Sequence, residues 1–200
     1  MIAVKSRRGV PEKLELAAAF DGYTVKYLSE QFGVDLGELQ NRRSDLSKRR
    51  IIAKDEYIEL KKLIEKALAG CAALKERPRT VERWLRDFLS ELDGKVLAEE
   101  EISLNTYMTR RGAQEKVHRK ARSAFSYLLK SRYPSVIYFP RRFGDKLPEG
   151  AEFIAEKHGY QLYRKGNNFY LVGDLFVRDR NRGFYVGRTV VGRWLVNENA

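Results

Sequence analysis

Cysteine and histidine are scarce in this sequence, which holds one cysteine, Cys71, and two histidines, His118 and His158. A single cysteine excludes a disulfide within the chain and fits a reducing compartment. The spacings His-x-His, Cys-x-x-Cys and His-Glu-x-x-His are all missing, so the sequence predicts neither a structural zinc site nor a zinc hydrolase. A Walker-type glycine loop is missing as well. We therefore expect a non-catalytic protein without a metal or another cofactor.

Long apolar runs are also missing. No stretch of about 18 apolar residues occurs that would cross a bilayer. The first eight residues, Met1 to Arg8, lack the apolar centre of a secretory signal. These absences predict that the chain has no membrane partner and stays in the cytoplasm, associated with the nucleoid if its source is a bacterium or a phage.

Positive charge is what the sequence has in excess. Its 39 Lys and Arg against 27 Asp and Glu give a formal net charge of +12, which points to a polyanionic partner: DNA, RNA or an acidic membrane surface. We expect DNA, with RNA as an alternative. The surplus lies in three blocks: residues 41–54 with six basic and one acidic side chain, 110–146 with eleven and two, and 164–193 with seven and two. Residues 82–101 instead carry seven acidic and three basic side chains. A merely solubilising surface would mix the two signs.

One segment combines a helix start with a helix turn. Residues 24–43 begin with Thr24, a good N-cap, and place the small Ser29 four positions before Gly33. The segment thereby resembles the helix-turn-helix of bacterial and phage DNA-binding proteins, in which a glycine turns the chain between the two helices. Gly37 lies in the second helix and disfavours it by roughly 1 kcal/mol, which predicts a later helix start than the resemblance implies.

The resemblance implies that the second helix enters the major groove of DNA. Asparagine and glutamine side chains can pair with adenine and arginine with guanine, and the basic run that follows would contact phosphates. The expected contact residues are Gln40, Asn41, Arg42, Arg43, Lys48, Arg49 and Arg50.

Two further basic surfaces are expected to contact the phosphate backbone. The first is an amphipathic helix over 114–130 with the residues after it, and its basic side chains avoid its apolar side. The second is a turn near residue 181 in the C-terminal part. The predicted contact residues are Lys116, Arg119, Lys120, Arg141, Arg142, Arg180 and Arg182.

Aromatic residues are interleaved with the third basic block. Such residues on a sheet can stack unpaired bases. We expect them instead to form the core of a small sheet, with the arginines at its solvated turns. The residues concerned are Tyr160, Tyr163, Tyr170, Phe184 and Tyr185.

The apolar periodicity predicts helices first and strands last. Helical spacing is clearest over 81–92 and 114–130, and an acidic segment over 97–108 is also expected to be helical. After Pro134, short β-branched and aromatic runs alternate with turn signals. We predict an α+β fold with an N-terminal helical region and a small C-terminal antiparallel β-sheet. The expected regions are a helix-turn-helix region over 1–54, a helical region over 55–134 and a β-rich basic region over 135–200.

These patterns favour a DNA-binding regulatory or accessory protein, similar in size and charge to small phage or mobile-element proteins. One alternative is a nucleic-acid-processing enzyme or its subunit, above all a metal-dependent nuclease. Its carboxylates would come from Asp174 and Asp179, or from Glu152 and Glu156. Another is a protein-interaction module whose apolar stripe over 81–92 and acidic stretch over 82–101 dock a polymerase or a second copy of the chain, which would give a homodimer.

Overall fold

The chain is a mixed α+β protein, as the sequence predicts. The computed structural model describes residues 11–140 and 146–196, and within these ranges it has six helices and eight strands. The chain divides into two compact units, residues 1–97 and 98–200. The first is helical apart from two short strands, whereas the second joins one long helix to an antiparallel sheet.

The N-terminal unit packs five helices around one apolar core. The stripe over residues 81–92 lies in this core, since Trp84, Phe88 and Leu92 are fully buried. Because these side chains are buried, the stripe is not accessible to a docking partner, as the protein-interaction alternative would require. The elements are α1 (Leu14–Phe20), α2 (Val25–Phe32), α3 (Leu36–Leu46), β1 (Ile51–Ala53), α4 (Lys54–Ala73), α5 (Arg79–Asp93) and β2 (Val96–Ala98), with β1 paired to β2.

Local signals in the sequence set the ends of α2 and α3. The Thr24 hydroxyl accepts a hydrogen bond from the backbone N–H three residues later and begins α2. Gly33 ends α2 in the left-handed conformation, with a φ of 59°. Asp35 caps α3, again by accepting from the N–H three residues later. The expected late start of α3 is therefore wrong: Gly37 lies in its first turn, where its missing side chain leaves room for the Asp35 carboxylate.

The C-terminal unit is a six-stranded antiparallel sheet with the long helix α6 (Leu104–Lys130) packed on one face. The strands are β3 (Glu100–Ile102), β4 (Val136–Pro140), β5 (Glu152–Lys157), β6 (Tyr160–Lys165), β7 (Asn168–Asp179) and β8 (Arg182–Val196). Their order is β3-β8-β7-β6-β5, and β4 pairs with the end of β8. Ala121, Phe125 and Leu129 of α6 share a core with Leu162, Leu171 and Trp194 of the sheet.

Two expectations about the middle of the chain need correction. The acidic segment expected as a helix over 97–108 forms strands up to Ile102, and α6 begins only at Leu104. The helix expected over 114–130 belongs to this longer α6, and it packs on the sheet: the indole N–H of Trp194 donates to the Ser126 hydroxyl at 3.1 Å. The compact units therefore divide the chain near residue 97, whereas the sequence placed its regional boundaries at 54 and 134.

Candidate nucleic-acid interface

Helices α2 and α3 follow each other within residues 24–46 and are joined by a short turn that begins at Gly33. The Ser29 hydroxyl donates to the Val25 carbonyl at 2.8 Å and accepts from the backbone N–H of Leu36 at 3.1 Å, so it ties α2 to the first turn of α3. The turn is fixed from α4, where the Lys66 ammonium donates to the Gly33 carbonyl at 2.9 Å. The second helix is thus held rigidly against the first.

The side chains of α3 that the sequence assigns to base reading are largely engaged within the protein. The Gln40 carbonyl oxygen accepts from the backbone N–H of Leu14 at 2.7 Å and so caps α1. Arg42 forms a two-pronged pair with Glu59, at 2.8 and 3.3 Å, and this hydrogen bonding lowers the pKa of Glu59. Asn41 remains on the exposed side of the helix.

Arg43 joins α3 to α5. Its guanidinium donates to the Glu91 carboxylate, at 3.1 Å from Nε, and to the Trp84 carbonyl at 3.1 Å. The side chain is only 16 % exposed, because it lies flat over the Trp84 ring. Arg43 is therefore a packing residue of the N-terminal unit.

Arg49 is even more deeply placed, with 5 % of the residue exposed. Its guanidinium meets the Glu56 carboxylate at 2.7 and 2.9 Å and the Asp45 carboxylate at 3.4 Å. Its neighbours Lys48 and Arg50 are exposed. Three of the six basic residues in 41–54, namely Arg42, Arg43 and Arg49, thus form ion pairs within the unit, which the sequence did not reveal.

The two units share the positive charge unequally. Residues 98–200 hold 19 basic and 11 acidic side chains, a net +8, whereas residues 1–97 hold 20 and 16, a net +4. Helix α6 alone holds seven basic residues and one acidic residue, Glu115, whose carboxylate accepts from Arg111 at 3.0 Å. The surplus is therefore concentrated on one helix of the C-terminal unit.

The side of α6 that faces away from the sheet forms one exposed stripe. Its residues recur at helical spacing, and at 1.5 Å per residue the span from 116 to 130 measures about 21 Å. Tyr127, within it, is 82 % exposed. We call this surface the α6 stripe; it consists of Lys116, Arg119, Lys120, Ser123, Tyr127 and Lys130. It includes the three contact residues that the sequence assigns to this helix.

The remaining predicted contacts are scattered. Arg180 is exposed in the turn between β7 and β8, where it has a φ of 54°. Arg182 begins β8 and pairs with the Glu101 carboxylate at 3.1 Å. Arg141 and Arg142 lie outside the described residues.

The interleaved aromatic residues divide between the two faces of the sheet. Tyr160 and Phe184 are buried, as expected for a core. Tyr163 and Tyr170 are half-buried and lie on the face opposite to α6. Tyr185 is half-buried and donates to the Asp174 carboxylate at 3.0 Å. Phe139, Phe153 and Arg193 share the outer face with Tyr163 and Tyr170, although no pattern in the sequence marks them.

The carboxylates considered for a nuclease do not assemble into a ligand set. Asp174 accepts from Tyr185, and Glu156 accepts from the Gln161 amide at 3.1 Å. Among residues 11–140 and 146–196, no three side chains of Asp, Glu, His or Cys come together in a group able to hold a metal ion. Within the same ranges, no helix has the length and apolar character needed to span a membrane.

Comparison of the chain with protein-family models, with curated proteins and with solved structures finds no match. The interpretation of these surfaces therefore depends on the side chains that form them.

Proposed function

We propose that the chain is a non-catalytic DNA-binding accessory protein that contacts the phosphate backbone through the α6 stripe. The observation that carries this proposal is the stripe itself: four exposed cations and a serine hydroxyl aligned over about 21 Å, while the one acid of α6 is paired with Arg111. Duplex DNA rises 3.4 Å per base pair, so the stripe matches the rise of about six base pairs.

The way α6 is held favours this role. Its opposite side is fixed to the sheet by the buried Phe125 and Leu129 and by the Ser126–Trp194 hydrogen bond, so the cations are presented on a preorganised support. Each cation that neutralises a phosphate releases a condensed counterion, which makes the binding favourable at low salt and independent of sequence.

The helix-turn-helix geometry of α2 and α3 supports a second DNA contact. With Gln40, Arg42 and Arg43 engaged inside the N-terminal unit, the contact residues we assign here are Asn41 and Lys48. We expect an Asn41→Ala variant to lose affinity for a preferred sequence and to keep its affinity for random duplex DNA.

The proposal is tested with the triple variant Lys116→Gln, Arg119→Gln, Lys120→Gln in the full chain. Its matched control neutralises Lys62, Lys75 and Arg83, three exposed residues of the N-terminal unit outside α2 and α3, so both variants lose the same charge. We expect fluorescence anisotropy with a labelled duplex to show about tenfold or more weaker binding for the stripe variant. Equal affinities of the two variants would contradict the proposal.

A further inference from the structure

Five residues form a row across the outer face of the C-terminal sheet. Directly opposed residues of antiparallel strands project from the same face. Phe153 on β5 opposes Tyr163 on β6, Tyr163 opposes Tyr170 on β7, Tyr170 opposes Arg193 on β8, and Arg193 opposes Phe139 on β4. We call these five residues the aromatic row. At about 4.8 Å between strands, the row crosses four strand spacings and is about 19 Å long.

The aromatic row faces away from α6. The residues next to it along the strands, Leu162, Leu171 and Trp194, point to the other side and belong to the core beneath α6. In the row itself Phe153 is 56 % exposed, Arg193 is exposed, and the other three residues are half-buried. Four aromatic rings therefore remain in contact with solvent on a face that the helix does not cover.

Neighbouring side chains hold several members of the row in place. The rings of Phe153 and Tyr163 meet edge to face with centroids 5.7 Å apart. The Tyr163 hydroxyl donates to the Gln161 amide oxygen at 3.2 Å. The Arg193 guanidinium lies over the Phe139 ring, 5.5 Å from its centre. These contacts limit the rotamers of the rings before any ligand binds.

We propose that the aromatic row is a second, separate binding surface, on which unpaired bases of single-stranded nucleic acid stack. Aromatic side chains and arginine planes are the groups on which single-stranded bases stack in proteins. The row supplies four aromatic side chains with Arg193 among them, in a unit whose net charge of +8 complements a phosphate chain. A duplex is a poor ligand here, because its bases already stack on one another and hide their faces.

The proposal does not depend on the α6 stripe, since the two surfaces lie on opposite sides of the sheet. Stacking on Tyr163 and Tyr170 requires only the faces of the bases, so it tolerates any sequence. Arg193 lies next to Tyr170 on the neighbouring strand, where it can stack with a base or pair with a phosphate. DNA and RNA single strands share this chemistry.

The test compares two double variants of the full chain. Tyr163→Leu with Tyr170→Leu removes both rings and keeps apolar side chains, whereas Tyr163→Phe with Tyr170→Phe keeps the rings and serves as the control. Fluorescence anisotropy measures binding to labelled oligothymidine, to oligouridine and to a duplex, each of about 15 nucleotides or base pairs. We expect the leucine variant to bind oligothymidine or oligouridine about tenfold or more weakly, and the phenylalanine variant to stay within about twofold of the parent.

Duplex binding distinguishes this inference from the proposed function. We expect it to be unchanged in the leucine variant and reduced in the α6 variant, which in turn keeps its ring-dependent binding of single strands. The inference is overturned if the leucine variant binds single strands as tightly as the parent. It is also overturned if the folded parent binds neither oligomer. If the leucine variant fails to fold, Phe153→Leu on edge strand β5 replaces it, and single-strand affinity equal to that of the parent then overturns the inference.

Discussion

The guanidinium carbon of Arg43 lies 4.6 Å from the centre of the Trp84 ring, and the same guanidinium is hydrogen-bonded to the Glu91 carboxylate. A residue from the most suggestive basic run in the sequence therefore holds α3 against α5. Arg49 acts similarly within the same unit through Glu56. Basic residues that a sequence pattern assigns to DNA contact can therefore serve instead to pack helices within the unit.

Arg49 is expected to contribute to stability rather than to DNA binding. Replacing it by methionine leaves the carboxylate of Glu56 without its closest partner, and because the Glu56 side chain is 24 % exposed, breaking this partly buried ion pair costs about 1–3 kcal/mol. The matched control is Lys48→Met at the exposed neighbouring position. Urea unfolding measures the free energy of unfolding of both variants. A free energy of unfolding for Arg49→Met as high as that of the control would show that the pair is unimportant.

Two helical glycines are expected to respond oppositely to alanine. A Cβ atom at Gly70 in α4 would lie 2.2 Å from Cδ1 of Phe32, so we expect Gly70→Ala to cost about 1–3 kcal/mol through overpacking. At Gly112 in α6 a Cβ atom would meet nothing within 4 Å, so Gly112→Ala should stabilise by about 0.5–1 kcal/mol. Thermal unfolding of the two variants checks the signs. A Gly70→Ala protein that unfolds at the same temperature as the parent would contradict the close packing of α2 on α4.

His118 is expected to make the stability depend on pH. Its ring stacks on Tyr160 with centroids 5.5 Å apart. Burial of the ring lowers the pKa of His118 below the ordinary 6.5, and the charge of Arg122 lowers it further. Folding therefore favours the neutral form. The contribution of His118 to the free energy of unfolding is fully present above the unfolded-state pKa near 6.5. It is lost as the pH falls through the lowered folded-state pKa.

Urea unfolding at a series of pH values between about 7 and 5 measures this effect. We expect His118→Gln to flatten the pH dependence of the free energy of unfolding. His158→Gln is the control, because His158 is exposed. Identical pH profiles for the parent and His118→Gln would refute the assignment.

Cys71 is expected to be inert in the folded protein. Its side chain is fully buried at the end of α4, and burial raises the pKa of its thiol to about 12. We predict that iodoacetamide labels the native protein far more slowly than the protein in urea, since the thiolate is the reactive form. Labelling at equal rates in both conditions would place the thiol at the surface.

Features that depend on neighbouring residues could be predicted from the sequence, whereas features that depend on distant partners could not. The cap at Thr24, the left-handed Gly33 and the buried stripe around Trp84 are all local patterns, and the structure contains each of them. The ion pairs of Arg42 and Arg43 join residues 17 and 48 positions apart, so no local pattern reveals them.

In the C-terminal sheet, too, local features could be predicted from the sequence and features set by distant partners could not. Turn signals predict its hairpins, but the face on which each aromatic residue lies depends on strand register. Register shifts occur in both the β5–β6 and the β7–β8 pairs, and each shift changes which later residues face the core. The row from Phe153 to Phe139 depends on the registers of five strands, so no single segment of the sequence reveals it.

The dependence of duplex binding on salt tests the role of the α6 stripe most directly. The logarithm of the binding constant should fall linearly with the logarithm of the salt concentration, with a slope of about −0.9 for each neutralised phosphate. Replacing Lys116, Arg119 and Lys120 by glutamine should make that slope shallower by about 2 to 3, while replacing Lys62, Lys75 and Arg83 should leave it unchanged. The same slope for the parent and the stripe variant would contradict backbone binding by α6.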